Sequence, residues 1–292
     1  MNKTTEERNP ESSNLDIMPL IDILSLMNNQ DLEIPGAIKN HLIDIEMIIK
    51  QVIRSFNNNG RLFYVGCGTS GRLGVLDASE CPPTFKVSAS LVQGIIAGGS
   101  KALYQSIEGA EDSYEDGQKI VKNKNINHND TVIGVSASGT ADYVLGCLEK
   151  SKDKNAYTAL ITFNKIKSKR FIDKILSVIV GPELISGSTR MKAGTATKMI
   201  LNMISTSSLI KSNKVYKNYM VDLKVSNKKL KNRAINIIKE ICKVTASKAE
   251  QLLQKSNNDV KVAIVMSILR INNNDAIKLL NDKKGDLRKI IK

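Results

Sequence analysis

Tryptophan is absent from these 292 residues, and aromatic side chains make up only 4% of them. Stacking of nucleobases, or of a sugar ring on an aromatic platform, is therefore not expected. No run of about 18 apolar residues occurs, so no membrane span is expected. The opening MNKTTEERNP lacks the apolar core of a signal peptide. Cysteine is sparse: Cys67, Cys81, Cys147 and Cys242 stand far apart with no CxxC spacing. Histidine is sparser still, at His41 and His128 only. No ligand set for a metal comes together from these, and no cofactor is expected. The thiol usage points to a reduced protein of the cytoplasm.

Charge of one sign is also scarce where it might matter. The net charge is +14, which suggests an affinity for nucleic acid. Its distribution argues otherwise. Residues 211–292 hold 20 Lys+Arg and 7 Asp+Glu, whereas residues 1–210 are almost balanced at 23 and 22. The C-terminal lysines are scattered singly through helical patterns, without Arg clusters or aromatic partners. A solvated helix face is the expectation, and no nucleic-acid partner.

What is present has a clear order. Apolar side chains recur at helical spacing over Asp16–Met27 and again over Ile38–Ile53, with Pro35-Gly36 read as the break between them. After the turn Asn57-Asn58-Asn59-Gly60 the pattern changes. Short apolar runs at Arg61–Val65, Leu91–Ala97, Thr131–Val135, Tyr157–Phe163 and Ile175–Val180 alternate with helical stretches at Lys101–Ile107, Asp112–Val121 and Asp142–Lys150. This predicts an α/β fold with a parallel sheet covered on both faces by helices. Met191–Ile210 is apolar nearly all round and reads as a buried helix, in the core or in a subunit contact. Beyond residue 218 only short helices are predicted. The expected organisation is an N-terminal helical segment (1–53), a sheet domain (54–217) and a small C-terminal helical bundle (218–292).

In such a sheet, ligands bind beyond the carboxyl ends of the strands. Three hydroxyl-rich segments fall there. The first, VGCGTSGR, places Gly68, Thr69, Ser70 and Arg72 between a strand and a helix, where glycines let backbone N–H groups approach an anion. It lacks the GxxxxGK[ST] of a nucleotide P-loop, and its single GxGxxG match is weak evidence for a dinucleotide. The second carries Ser136, Ser138, Gly139 and Thr140. The third, GPELISGSTRMK, carries Glu183, Ser186, Ser188, Thr189, Arg190 and Lys192. Its cations open a helix, a position that disfavours them unless an anionic ligand or buried carboxylates compensate. All of these residues are candidates for contacts to a sugar phosphate, although helix capping explains Ser and Thr there equally well. Two acidic segments remain. LDASECPPTF holds Glu80 just before two prolines that should stop the helix, and EGAEDS holds Glu111 ahead of another helix.

Together, VGCGTSGRLGVLDASECPPTF, GIIAGG, EGAEDS, SASGTADYV, GPELISGSTRMKAGTATKMILNMIS, NYMVDLKVSNKKL and the opening TTEERNPES closely resemble the N-acetylmuramic acid 6-phosphate hydrolases, or etherases, in register over essentially the whole chain. The resemblance implies a flavodoxin-like sugar isomerase (SIS) domain, a helical tail and a homodimer. It implies a carbon–oxygen lyase that cleaves the D-lactyl ether of N-acetylmuramate 6-phosphate, releasing N-acetylglucosamine 6-phosphate and D-lactate in the metabolism of cell-wall sugars. It points to Glu80 as proton donor and Glu111 as second acid/base. The chain departs from the family's pattern at SASGTADYV, where ASGRTPYV is usual, around Phe163-Asn164-Lys165, where Cys-Asn-Pro is usual, at Met18-Pro19-Leu20, where Ser-Thr is expected, and at Cys67, where Ala is usual.

The chemistry fits two carboxylates. In the open-chain sugar the C1 aldehyde acidifies the C2 proton. A base removes it, the C3–O bond to lactate breaks as an acid protonates the ether oxygen, and water adds to the unsaturated aldehyde. A helix C-terminus would favour the protonated form of Glu80, and a helix N-terminus the ionised form of Glu111. Two rival readings use the same fold: an aldose–ketose isomerase of sugar phosphates, and a non-catalytic sugar-phosphate binder like the glucokinase regulatory protein, which shares the GTSGR and SGS segments.

Overall fold

A computed structural model describes residues 3–225 and 227–291. Five short strands, β1 (Leu62–Gly66), β2 (Val92–Ile96), β3 (Thr131–Val135), β4 (Tyr157–Thr162) and β5 (Lys174–Ser177), form one sheet in the order β2-β1-β3-β4-β5. Every pairing is parallel, with Leu62 beside both Val92 and Thr131. The sheet buries both faces. α2 (Leu42–Asn57) packs against β1, β3 and β5, and its Ser55 hydroxyl shares a 2.8 Å hydrogen bond with Thr131. The opposite face, through Phe63, Val65, Val132 and Leu160, meets α5 (Asp142–Asp153), against which α4 (Tyr114–Asn123) packs. A side chain at Gly134 would strike Val144 and Leu148, so the close seat of α5 depends on that glycine.

The chain divides into two compact units, residues 1–79 with 89–208, and residues 80–88 with 209–292. The first contains the sheet, α1 (Leu20–Lys39), α2, α4, α5 and most of α6 (Lys192–Lys211). The second is a bundle of α7 (Lys228–Cys242), α8 (Ala246–Lys255), α9 (Val260–Leu269), α10 (Asn273–Asp282) and α11 (Leu287–Ile290), joined by residues 80–88. Each of these helices opens on a side-chain cap, from Asn227, Thr245, Asp259, Asn272 and Asp286. The core of the bundle forms around α9, apolar except at Lys261 and Ser267, with Ala234, Ile238 and Leu253 in the same cluster. Its one buried cation among the described residues, Lys261, is held by Asp222 at 2.8 Å and the Asn213 carbonyl at 2.6 Å. Lys228, Lys229 and Lys239 of α7 are exposed.

Four local expectations are corrected. The Pro35-Gly36 pair does not end a helix; α1 runs through it. A helix-interior proline costs about 3 kcal/mol. Here Gln30, Ile34 and Ile38 are buried along one face on both sides of exposed Pro35, and that packing carries the helix across. Pro82 and Pro83 likewise lie inside α3 (Gly68–Phe85), whose last turn continues with Lys86 N donating to the Pro82 carbonyl at 3.0 Å. Glu80 therefore sits within a helix and not at its end. The stretch Lys101–Ile107 forms only a 3-10 turn over Gly99–Leu103, and α4 begins at Tyr114 with Ser113 as its cap, two residues after Glu111. The helix-end arguments for the protonation of Glu80 and the ionisation of Glu111 lose their premises.

Candidate active site

The strand order reverses between β1 and β3, each of which has its neighbour on the other side. The loops leaving their carboxyl ends diverge to opposite faces and leave a crevice. A cavity of about 410 Å³ occupies this position. Its wall includes Gly68, Thr69 and Ser70 after β1, Ser136, Ser138 and Thr140 after β3, Thr189 before α6, and Glu111. Thus eight of the candidates read from the sequence share one cavity, although they come from four separate segments.

The first loop turns sharply because two glycines touch. A side chain on Gly66 would lie 2.7 Å from Gly71 N, and one on Gly71 would lie 2.6 Å from Gly66 O. The turn leads directly into the first turn of α3, where Gly71 N donates to the Cys67 carbonyl at 3.2 Å.

The second loop folds onto its own hydroxyls. Ser136 Oγ accepts the N–H of Gly139 at 3.1 Å and of Ala141 at 3.4 Å, and Ser138 Oγ accepts the N–H of Thr140 at 3.2 Å. Ser138 and Thr140 hydroxyls lie 2.9 Å apart, and those of Ser136 and Ser138 3.4 Å apart. The result is a ladder of three hydroxyls ahead of α5.

Glu111 is exposed in a turn that begins with Gly109 in the left-handed region at φ +70°. The turn is anchored by its main chain, since the Glu111 carbonyl accepts the N–H of Tyr143 on α5 at 2.9 Å. Its carboxylate acts on the neighbouring wall: burial first, then the charges of Glu111 and Asp112, push the Cys67 thiol up to about 12. Cys67 is therefore a neutral thiol at the cavity wall.

The remaining candidates lie elsewhere. Arg72 donates to the Leu103 carbonyl at 3.3 Å and the Gln105 carbonyl at 3.1 Å, tying α3 to the 3-10 turn. Gly139 is buried beneath the hydroxyl ladder at φ +73°. Ser186 donates to the Glu6 and Glu7 carbonyls. Ser188 is half-buried and Arg190 exposed, and neither lines the cavity. Glu183 is fully buried; its two oxygens accept the N–H of Lys192 at 2.8 Å and of Ala193 at 3.0 Å, which caps α6. The Lys192 ammonium is buried as well, donating to Gln30 Oε1 at 2.7 Å. Glu80 is exposed on α3 and belongs to the second unit.

The role of Glu183 is testable. Glu183→Ala leaves two N–H groups in the first turn of α6 buried without an acceptor, a cost of about 3 kcal/mol. A drop in Tm on the order of 5–10 °C is expected by thermal unfolding. An unchanged Tm would remove the capping role.

The cavity also contains residues that the motifs did not single out: Lys3, Thr5, Glu6, Cys67, Asp112 and Gly187. The N-terminal three come from a segment whose only sequence signal was its place in the resemblance. Among the described residues, no group of three or more His, Cys, Asp or Glu side chains is arranged to hold a metal ion, and no helix is long and apolar enough to cross a membrane.

A five-stranded parallel sheet of this order is the flavodoxin-like arrangement, and the class of protein built on it here is specified by the family comparison, which points to a sugar isomerase (SIS) domain. Residues 44–152 match the family model of the glucokinase regulatory protein N-terminal SIS domain, and residues 217–267 match that of the C-terminal lid domain of glucokinase regulatory protein. The solved structure of the c3406 protein of E. coli CFT073 shares the fold, at a TM-score of 0.50 and 17% identity over 70% of this chain and 96% of that one. Full-length relatives are more specific. The chain is 48% identical to N-acetylmuramic acid 6-phosphate etherase 1 of Bacillus licheniformis, over 99% of this chain and 95% of that protein. It is 47% identical to the N-acetylmuramic acid 6-phosphate etherase of Oceanobacillus iheyensis, over 98% and 97%. The chain belongs to the N-acetylmuramic acid 6-phosphate etherase family.

Proposed function

We propose that this protein cleaves the D-lactyl ether of N-acetylmuramic acid 6-phosphate with water, giving N-acetylglucosamine 6-phosphate and D-lactate. The observation that carries the reading is the cavity at the sheet's reversal point, where an exposed carboxylate, Glu111, faces two hydroxyl-bearing loops. Membership of the etherase family supports the substrate. The hydroxyls and the helix starts suit a phosphate monoester, and the carboxylate suits a proton transfer at carbon.

The steps balance without an external oxidant or reductant. Glu111 takes the C2 proton of the open-chain sugar. The C3–O bond breaks, its electron pair leaves with the lactyl oxygen, and Glu80 supplies the proton that makes this oxygen the hydroxyl of lactate. Water then adds its OH to C3 and a proton returns to C2. Incubation of the purified protein with N-acetylmuramic acid 6-phosphate should release D-lactate. Formation of a ketose phosphate instead would identify an isomerase.

The working form is proposed to be a homodimer in the cytoplasm. The N-terminal segment exposes Ile17, Leu20, Ile21 and Leu24, with Ile43 and Met47 exposed on α2. Exposed large apolar side chains recurring along these elements support a protein contact there. Sedimentation should give about twice the mass of one chain, 32.1 kDa. Ile21→Lys together with Leu24→Lys should shift it to the monomer. A wild type that sediments as a monomer at micromolar concentration would rule the dimer out.

A further inference from the structure

The cavity's charge opposes its proposed cargo. Its lining carries three carboxylates, Glu6, Glu111 and Asp112, and one ammonium, Lys3. The substrate brings a phosphate monoester and a carboxylate of its own. In the loop after β3, the N–H groups of Gly139, Thr140 and Ala141 are already directed to Ser136 and Ser138 hydroxyl oxygens. The side chains this loop presents to a ligand are neutral hydroxyls. Among the described residues, positive charge from the cavity's side chains comes from Lys3 alone.

Lys3 is placed for that purpose. Its ammonium donates to Thr140 Oγ1 at 3.1 Å, at the end of the hydroxyl ladder, and among the described residues it forms no ion pair. The segment that carries it is strapped down two residues later. Thr5 is buried, with its N–H donating to Asn164 Oδ1 at 3.2 Å and its carbonyl accepting the N–H of Gly187 at 3.1 Å. Asn164 in turn donates from Nδ2 to Thr5 Oγ1 and to the Ala137 carbonyl, both at 2.9 Å. One buried amide thus joins the N-terminal strap to the hydroxyl loop itself.

We propose that Lys3 is a specificity-determining residue that recognises the phosphate monoester above the Ser136–Ser138–Thr140 ladder, and that Thr5 and Asn164 are positioning residues that hold it there. The proposal rests on the etherase reading for its substrate, but its recognition step is a charge-assisted hydrogen bond of lysine to phosphate in any case. Loss of one such bond weakens binding about 10- to 100-fold.

The test uses the full chain and inorganic phosphate as probe. Calorimetric titration at low ionic strength compares wild type with Lys3→Met and Lys3→Arg. Lys3→Met should lose phosphate affinity by that factor and raise KM for N-acetylmuramic acid 6-phosphate similarly, with a smaller change in kcat. Lys3→Arg should retain most of both. Asn164→Ala should move KM in the same direction, and Lys3→Met in that background should add little. Unchanged phosphate affinity and KM in Lys3→Met would overturn the proposal, as would a loss confined to kcat. If wild type releases no lactate yet binds phosphate through Lys3, the etherase reading fails and the recognition role stands.

Discussion

Glu111→Gln should lower D-lactate release from N-acetylmuramic acid 6-phosphate by roughly a thousandfold, within the usual range for removal of a general base. The amide is the same size but cannot take a proton from C2. The fold should not suffer, because the side chain is exposed and the turn is held by main-chain bonds, notably Tyr143 N to the Glu111 carbonyl. Tm should therefore stay within about 2 °C, as surface substitutions generally do. A second readout comes from Cys67. Part of what holds its thiol up near 12 is the Glu111 charge. Removing that charge should lower the thiol's pKa and speed its alkylation, while burial keeps it above an ordinary cysteine. Loss of activity without faster alkylation would mean that the Glu111 carboxylate does not face the cavity wall as described.

Glu80→Gln should produce a loss of similar size, on the order of a hundred- to a thousandfold, with sugar-phosphate binding retained. An ether oxygen is a poor leaving group unless it is protonated as the bond breaks, and glutamine has no proton of comparable acidity to give. The structure changes the physical setting of this residue. Because α3 continues through Pro82 and Pro83, neither proline offers an N–H to the carbonyls of Ala78 and Ser79, one turn back. Glu80 thus follows two carbonyls deprived of their helical donors, on an exposed face. Activity within twofold of wild type in Glu80→Gln would end its assignment as proton donor.

Much of this was readable from residue pattern, and the failures have physical causes. Strands β1 and β3 are legible because each is a short, mostly apolar run, the signature of a sheet buried on both faces, at Leu62–Gly66 and Thr131–Val135. The hydroxyl-rich loops were legible as strand-end segments, where a parallel sheet binds ligands; that those after β1 and β3 meet depends on the sheet order, which chain order does not supply. The prolines mislead because local propensity carries no information about tertiary packing. Ile34 and Ile38 are buried on either side of Pro35, and that burial outweighs one missing hydrogen bond. Glu183 and Lys192 show the converse. Charges near a loop look like ligand contacts in a sequence, and only the fold reveals that one is spent on the first turn of α6 and the other on Gln30. Lys3 could not be found by spacing, for its partner Thr140 lies 137 residues away. The loop reads SASGTADYV where the family resemblance leads one to expect an arginine, and Lys3 brings a cation to it.

The central claim is that this chain eliminates lactate from an amino-sugar phosphate and then adds water. The most direct measurement is the reaction of the purified protein with N-acetylmuramic acid 6-phosphate in D₂O, followed by mass analysis of both products. The account predicts equimolar D-lactate and N-acetylglucosamine 6-phosphate, with one solvent deuterium fixed at C2 of the sugar and none bound to carbon in lactate. Products formed without deuterium at C2 would contradict elimination and hydration, and absence of lactate would contradict the etherase reading as a whole.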